Sequence, residues 1–129
     1  MQSNDPVTTV RAWQDAANVQ AKERLLELSD PHIEIVGPRG SGYGHELLEA
    51  WLARAGLTLE TKRVFARGDT VVLLQHGVWR SAETGEVTGE ADLASCFRAA
   101  GRVTYFSRHE QLASALAQAG LTEAAEVVP

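Results

Sequence analysis

Residues 37–44, "GPRGSGYG", stand between an apolar run, "HIEIV", and a helical pattern, "HELLEAWLARAG". A strand, a glycine-rich turn and a helix start are the parts of a phosphate cradle, because backbone N–H groups there face an anion. The rest of that pattern is missing. No Gly-Lys-Ser/Thr ending supplies a lysine for terminal phosphates. The G-x-G-x-x-G spacing and following parallel strand of a dinucleotide site are also absent, although Glu60 stands at a suitable distance for a ribose contact. The glycines therefore read as a corner: they let the backbone take positive φ as the chain leaves an edge strand, and they place Tyr43 at a pocket mouth.

The other reactive side chains are scattered. His32, His45, His76 and His109 show no paired metal spacing, so no metal centre is expected. His45, at a helix start, favours its neutral form as a general base would; the plainer reading is a surface residue between loop and helix. Cys96 is the single cysteine, cannot form an internal disulfide, and reads as a small apolar residue with no activating neighbour.

Composition narrows the classes. A chain of 129 residues makes one domain, able to bury about two-thirds of the surface its unfolded form exposes. The formal net charge of −5 argues against a sequence-independent grip on nucleic acid, which needs clustered Lys and Arg. No segment approaches the ~20 apolar residues that span a bilayer, and "MQSNDPVTTV" lacks the basic start and apolar stretch of a signal peptide. A reducing cytoplasm is the expected location, with no cofactor, nucleic acid or membrane as partner.

The elements that must position these residues follow from periodicity. Asp5 and Pro6 open a long amphipathic helix whose stripe is Val10, Trp13, Ala17, Ala21, Leu25 and Leu28, with a break near Asn18. Pro31 stops it. "HIEIV" is a short strand, and Leu47, Leu48, Trp51, Leu52 and Ala55 mark a second helix capped by Gly56. From residue 57 the period turns to alternation: "LTLETKRVFARG", "DTVVLLQHGVWRSA", "VTGEADLASCFRAA" and "RVTYFS" form a meander of three to four strands. "EQLASALAQAG" is a third helix ended by Gly120, and residues 122–129 read as a loose tail. The order predicts an α+β layout, with the helices gathered on one face of a curved antiparallel sheet.

With this order, the chain resembles the nuclear transport factor 2-like superfamily, most nearly its SnoaL-like branch. The resemblance spans residues 7–121 and rests on the first helix, on "SDPHIEIVGPRGSGYGHELLEAWL", on the long strands, and on the ending from Arg108 to Leu121. It implies a single cone-shaped half-barrel over residues 1–129, a curved antiparallel sheet on about three helices around a pocket, commonly in a homodimer. The superfamily includes ketosteroid isomerases, scytalone dehydratases, limonene epoxide hydrolases and polyketide cyclases, beside members that only bind ligands. At the position of the isomerases' proton-moving aspartate this chain has Ile35, and at that of their protonated oxyanion-hole acid it has Ser95. Trp13 falls near their first-helix tyrosine. The resemblance thus carries the fold without the isomerase mechanism, which needs a base beside the carbonyl and a strong donor opposite.

The resemblance also sets which side chains face the cone. Val71, Leu73, Gln75, Gly77 and Trp79 face inward, as do Ala91, Leu93, Ser95 and Phe97, then Thr104, Phe106 and Arg108. The pocket it implies is lined by Trp13, Tyr43, Trp51, Gln75, Trp79, Ser95, Phe97, Phe106 and Arg108. Arg108 is its sharpest element: an inward guanidinium cannot shed its proton and needs a carboxylate, a carbonyl or a ligand anion. A plainer reading also stands, in which S-x-x-E from Ser107 to Glu110 caps the last helix and leaves Arg108 at a wet rim. The opposite face includes Leu74, His76, Val78 and Asp92, and its apolar end suits a homodimer contact. There His76 and Asp92 on neighbouring strands match in parity, as an acid–base pair or a surface pair would.

Two functions follow from this reading. One is a binding protein with an apolar pocket for a small apolar or weakly acidic molecule, its exact role and catalytic residues unknown. The alternative is a cofactor-free isomerase, hydrolase or cyclase acting by general acid–base catalysis on an apolar or polyketide-like substrate, with Arg108 holding an oxyanion and His45, Asp15 or a water as base.

Overall fold

In the computed structural model, which describes residues 5–37, 40–54, 57–81 and 83–127, Pro6 fills the first position of helix α1, Pro6–Asn18. A missing N–H costs nothing there. The break near Asn18 is present: Gln20 adopts φ 59°, and helix α2 follows at Lys22–Glu27. Its cause is tertiary. The Asn18 side chain donates to the Leu59 carbonyl and accepts from the Leu59 N–H, each at 2.9 Å, so the helix ends where it pairs with a strand.

Strands β1 (Ser29–Gly37) and β2 (Gly40–Tyr43) form an antiparallel hairpin in which Gly37 faces Gly40. The glycine loop is thus a corner at the sheet edge, with Gly40 at φ 113° and Gly44 at φ 99°. Helix α3 is His45–Arg54; the cap expected at Gly56, and Ala55 before it, lie outside the described residues.

The meander is β3 (Leu57–Arg67), β4 (Thr70–Arg80), β5 (Val87–Ala99) and β6 (Val103–His109), and α4 (Leu112–Ala119) ends at Gly120 with φ 70°. A short 3₁₀ turn, Glu123–Ala125, leads into β7, Glu126–Val127. The single curved sheet has the order β2-β1-β6-β5-β4-β3-β7. Every pair is antiparallel except β1 beside β6, and register shifts in β3–β4, β4–β5 and β5–β6 bend it.

Two expectations are corrected. The helices do not all lie on one face: α1, α2 and α3 cover Val64, Val71, Leu73, Phe97 and Phe106, whereas α4 covers Phe65, Val72, Ala94 and Cys96 on the other. Strand alternation makes both faces of β3, β4 and β5 apolar at one end, so each needs a cover. Nor are residues 122–127 loose. Val127 and Glu126 pair with Val64 and Phe65, and Arg63 donates to Glu126 at 2.9 and 2.8 Å and to Glu123 at 3.0 Å. An edge strand left bare would present unpaired backbone groups, and this segment occupies part of that edge. Among the described residues no helix is long and apolar enough to cross a membrane.

Candidate functional site

The space between sheet and helices is largely filled by aromatic rings. Trp13, with no exposure, lies 5.7 Å from Trp51, 5.4 Å from Phe97 and 5.1 Å from Phe106, centre to centre. Its indole N–H donates to the Ser29 hydroxyl at 2.9 Å, which satisfies the one polar atom the ring brings inside. Deeper along the strands a buried polar chain ties sheet to helix. Ser95 Oγ donates to Gln75 Oε1 at 2.8 Å, Gln75 Nε2 donates to Gln14 Oε1 at 3.1 Å, and Gln14 Nε2 donates to Asn18 Oδ1 at 3.2 Å. Gln75 and Ser95 therefore spend their hydrogen bonds on the protein itself.

A cavity of about 660 Å³ opens at the edge of this core. It sits where β1 turns away: pairing between β1 and β6 ends at Val36 beside Ser107, so β6 is uncovered from Arg108 onward. Side chains alternate along β6, and the cavity wraps that free end. Ile35, Trp51, Phe106 and Arg108 line it from the helical side; Tyr105, Ser107, His109 and Gln118 line it from the side of α4.

Arg108 dominates the first lobe. Its guanidinium carbon stands 5.2 Å from the centre of the Phe106 ring and 5.6 Å from that of Trp51, within reach of the negative faces of both. Its Nε is buried and has no hydrogen-bond partner among the described residues, and burial alone pushes its pKa down to about 10, leaving it fully charged at neutral pH. The capping box expected as the plainer alternative is absent, and Arg108 itself is half-buried. The strand runs on to His109, Gln111 stands at the cap position of α4, and no Ser107–Glu110 capping box forms.

The second lobe holds polar groups in series. Ser107 Oγ lies 2.9 Å from His109 Nε2, and His109 Nδ1 lies 2.9 Å from Ser114 Oγ on α4. Burial holds the imidazole below its ordinary pKa, so it is neutral at pH 7. Gln118 Nε2 donates to the Tyr105 hydroxyl at 3.2 Å.

The expected pocket residues divide. Trp51, Phe106 and Arg108 meet at the cavity. Trp13, Gln75, Ser95 and Phe97 are buried behind it in the core. Tyr43 is 64% exposed and away from the cavity wall. Trp79 stands several residues beyond Leu73 on β4, facing Leu57 and Gly89 across the ladders. His45 and Asp15, the candidate bases, lie beside other depressions, with His45 Nε2 3.0 Å from the Ser29 carbonyl oxygen.

On the opposite face His76 stands between Asp92 and Glu90, each 3.0 Å from one ring nitrogen, with Glu60 opposite it on β3. The hydrogen bond to Asp92, then that to Glu90, raises its pKa. Both nitrogens are engaged, and among the described residues no group of three or more His, Cys, Asp or Glu is placed to hold a metal. The Ser107–His109–Ser114 series was not anticipated. Its signal was the i, i+2 spacing of Ser107 and His109 on a strand; the approach of Ser114 depends on where α4 docks.

No family model and no curated protein matches the chain. Solved structures do resemble it. An NTF2-like protein from Burkholderia xenovorans is 24% identical, with TM-score 0.66 over 92% of this chain and 98% of that one. A Mycobacterium tuberculosis protein in complex with estradiol-17β-hemisuccinate is 16% identical, with TM-score 0.72 over 86% and 97%. A Catenulispora acidiphila protein with a ketosteroid isomerase-like fold, in complex with trimethylamine, is 20% identical, with TM-score 0.67 over 99% and 100%.

Proposed function

This chain has the nuclear transport factor 2-like fold, and on that scaffold we propose a SnoaL-like binding protein that holds a small, largely apolar monoacid beside Arg108 without a cofactor. The observation that carries this reading is the Arg108 Nε, buried and without a hydrogen-bond partner among the described residues. A buried donor left unpaired on a half-buried cation is costly, and the aromatic neighbours offset only part of that cost, so a ligand anion at Nε supplies the missing partner. Ile35, Trp51 and Phe106 offer an apolar wall for the rest of the molecule, the usual composition of a small-ligand site. The hemisuccinate of the Mycobacterium tuberculosis complex is one such acid on the same scaffold. The test is thermal shift with aromatic and isoprenoid monocarboxylates and their methyl esters: acids that raise the melting temperature of the native protein but not of Arg108→Met support it, and equal shifts in both proteins reject it.

A second reading, a cofactor-free hydrolase, isomerase or cyclase, is favoured by one observation: the neutral His109 lines the same cavity, whereas His45 and Asp15 do not. Two further features belong to this proposal. The face carrying Leu74, His76 and Val78 is half-buried and suits a homodimer; Leu74→Asp with Val78→Asp then halves the mass by light scattering. The buried thiol of Cys96 suits a reducing compartment such as the cytoplasm.

A further inference from the structure

We infer that the second lobe of the cavity is an acyl-transfer site, in which Ser107 is the nucleophile, His109 its general base, Ser114 the residue that positions the imidazole, and Tyr105 the donor to the oxyanion. It deepens the hydrolase reading and is independent of acid binding at Arg108. The substrate class is a small uncharged carboxylic ester.

The geometry has the parts such chemistry needs. A serine hydroxyl is a weak nucleophile until a base takes its proton, and the base works within about 2.6–3.2 Å. Ser107 Oγ is 2.9 Å from His109 Nε2. The base must also be held in one tautomer: in the one this chemistry uses, Nδ1–H donates to Ser114 Oγ, 2.9 Å away, and Nε2 is left to accept from Ser107. Tyr105, Ser107 and His109 alternate onto one face of β6, so the three side chains stand in a row. Because Gln118 donates to the Tyr105 oxygen, the phenolic proton stays available for another acceptor, the role the oxyanion takes in this proposal. Ser107 is only 2% exposed yet lines the cavity, which keeps bulk water from competing for its hydroxyl.

The steps balance. Ser107 Oγ bonds to the ester carbonyl carbon as its proton passes to His109 Nε2, and Tyr105 donates to the carbonyl oxygen of the tetrahedral intermediate. The C–O bond to the alkoxide breaks, the alkoxide takes the proton from Nε2, and the acid is left esterified to Ser107. Water, deprotonated by Nε2, then releases the acid and restores the hydroxyl.

The test is covalent labelling of the full chain with an alkyl fluorophosphonate, in which an Oγ–P bond forms, the P–F bond breaks and fluoride leaves. The expected result is one phosphonyl group per chain, mapped to Ser107 by peptide mass. The label is absent in Ser107→Ala, slowed about 100-fold in His109→Gln, and slowed less in Ser114→Ala. Should Ser107→Ala fail to fold, His109→Gln and Ser114→Ala carry the test, with melting curves as the folding control. No label, a label elsewhere, or a rate unchanged in His109→Gln overturns the inference. Labelling and the thermal shift with monocarboxylates are read separately, so a failed labelling overturns this inference and leaves acid binding at Arg108 untouched.

Discussion

The Arg108 guanidinium lies 5.6 Å from the Trp51 ring centre, a strand residue reaching an α3 residue across the cavity wall, and burial alone acts on its ionisation. A half-buried cation whose Nε lacks a partner among the described residues is a cost to the fold. Replacing it with methionine keeps the stem and removes the charge, so Arg108→Met is expected to be neutral or stabilising by roughly 1–3 kcal/mol in denaturant titration. A loss of that size would mean that Arg108 has a partner in solution.

Gln75 and Ser95 predict the opposite outcome. In Gln75→Leu the Ser95 hydroxyl loses its acceptor and the Gln14 carbonyl its donor, both inside the core. The expected loss is about 2–4 kcal/mol by denaturant unfolding, and Gln75→Leu with Ser95→Ala recovers part of it because one stranded group is then gone.

Phe97 lies against both Trp13 and Phe106 at 5.4 and 5.2 Å and is fully buried. Truncation to alanine opens the wall between core and cavity. Phe97→Ala is expected to cost about 3–5 kcal/mol in the same measurement, the range for a large buried ring.

His109 and His76 move stability in opposite directions with pH. Burial holds folded His109 below its ordinary value of 6.5, so the unfolded chain takes up that proton first. Its contribution is complete above pH 6.5 and falls as pH drops through the folded value. For His76, whose partners Asp92 and Glu90 raise its pKa and which Glu60 also faces, the contribution is complete below 6.5 and is lost as pH rises through the folded value. Melting temperatures from about pH 5 to about pH 8 check this: His109→Gln flattens the acid side of the profile and His76→Gln the other. Unchanged profiles would remove these pKa assignments.

Arg63 holds the chain end through Glu123 and Glu126 while lying 4.9 Å over the Phe65 ring. Arg63→Ala is expected to speed amide exchange at Val127 while leaving the global unfolding transition in place, since the ion pairs are exposed and β7 is only two residues long. Exchange at Val127 as slow as in the native protein would show that the backbone pairing alone suffices.

Local pattern alone determined most of the elements. Pro6, the alternation from residue 57 and Gly120 placed the helix start, the meander and the last helix end, because φ restriction, strand parity and a left-handed cap are properties of short stretches. Parity placed Arg108 with Phe106, and Gln75 with Leu73, on one face of their strands, and the family resemblance chose that face as the inward one. What parity cannot carry is distance. Whether an inward side chain meets space or another side chain depends on how helices and sheet dock, and that docking put Trp13 and Phe97 in the core and left Trp51 and Arg108 at a cavity. The α4 position shows the same limit: its apolar stripe required a cover but did not name the face, and only tertiary packing set Ser114 against His109.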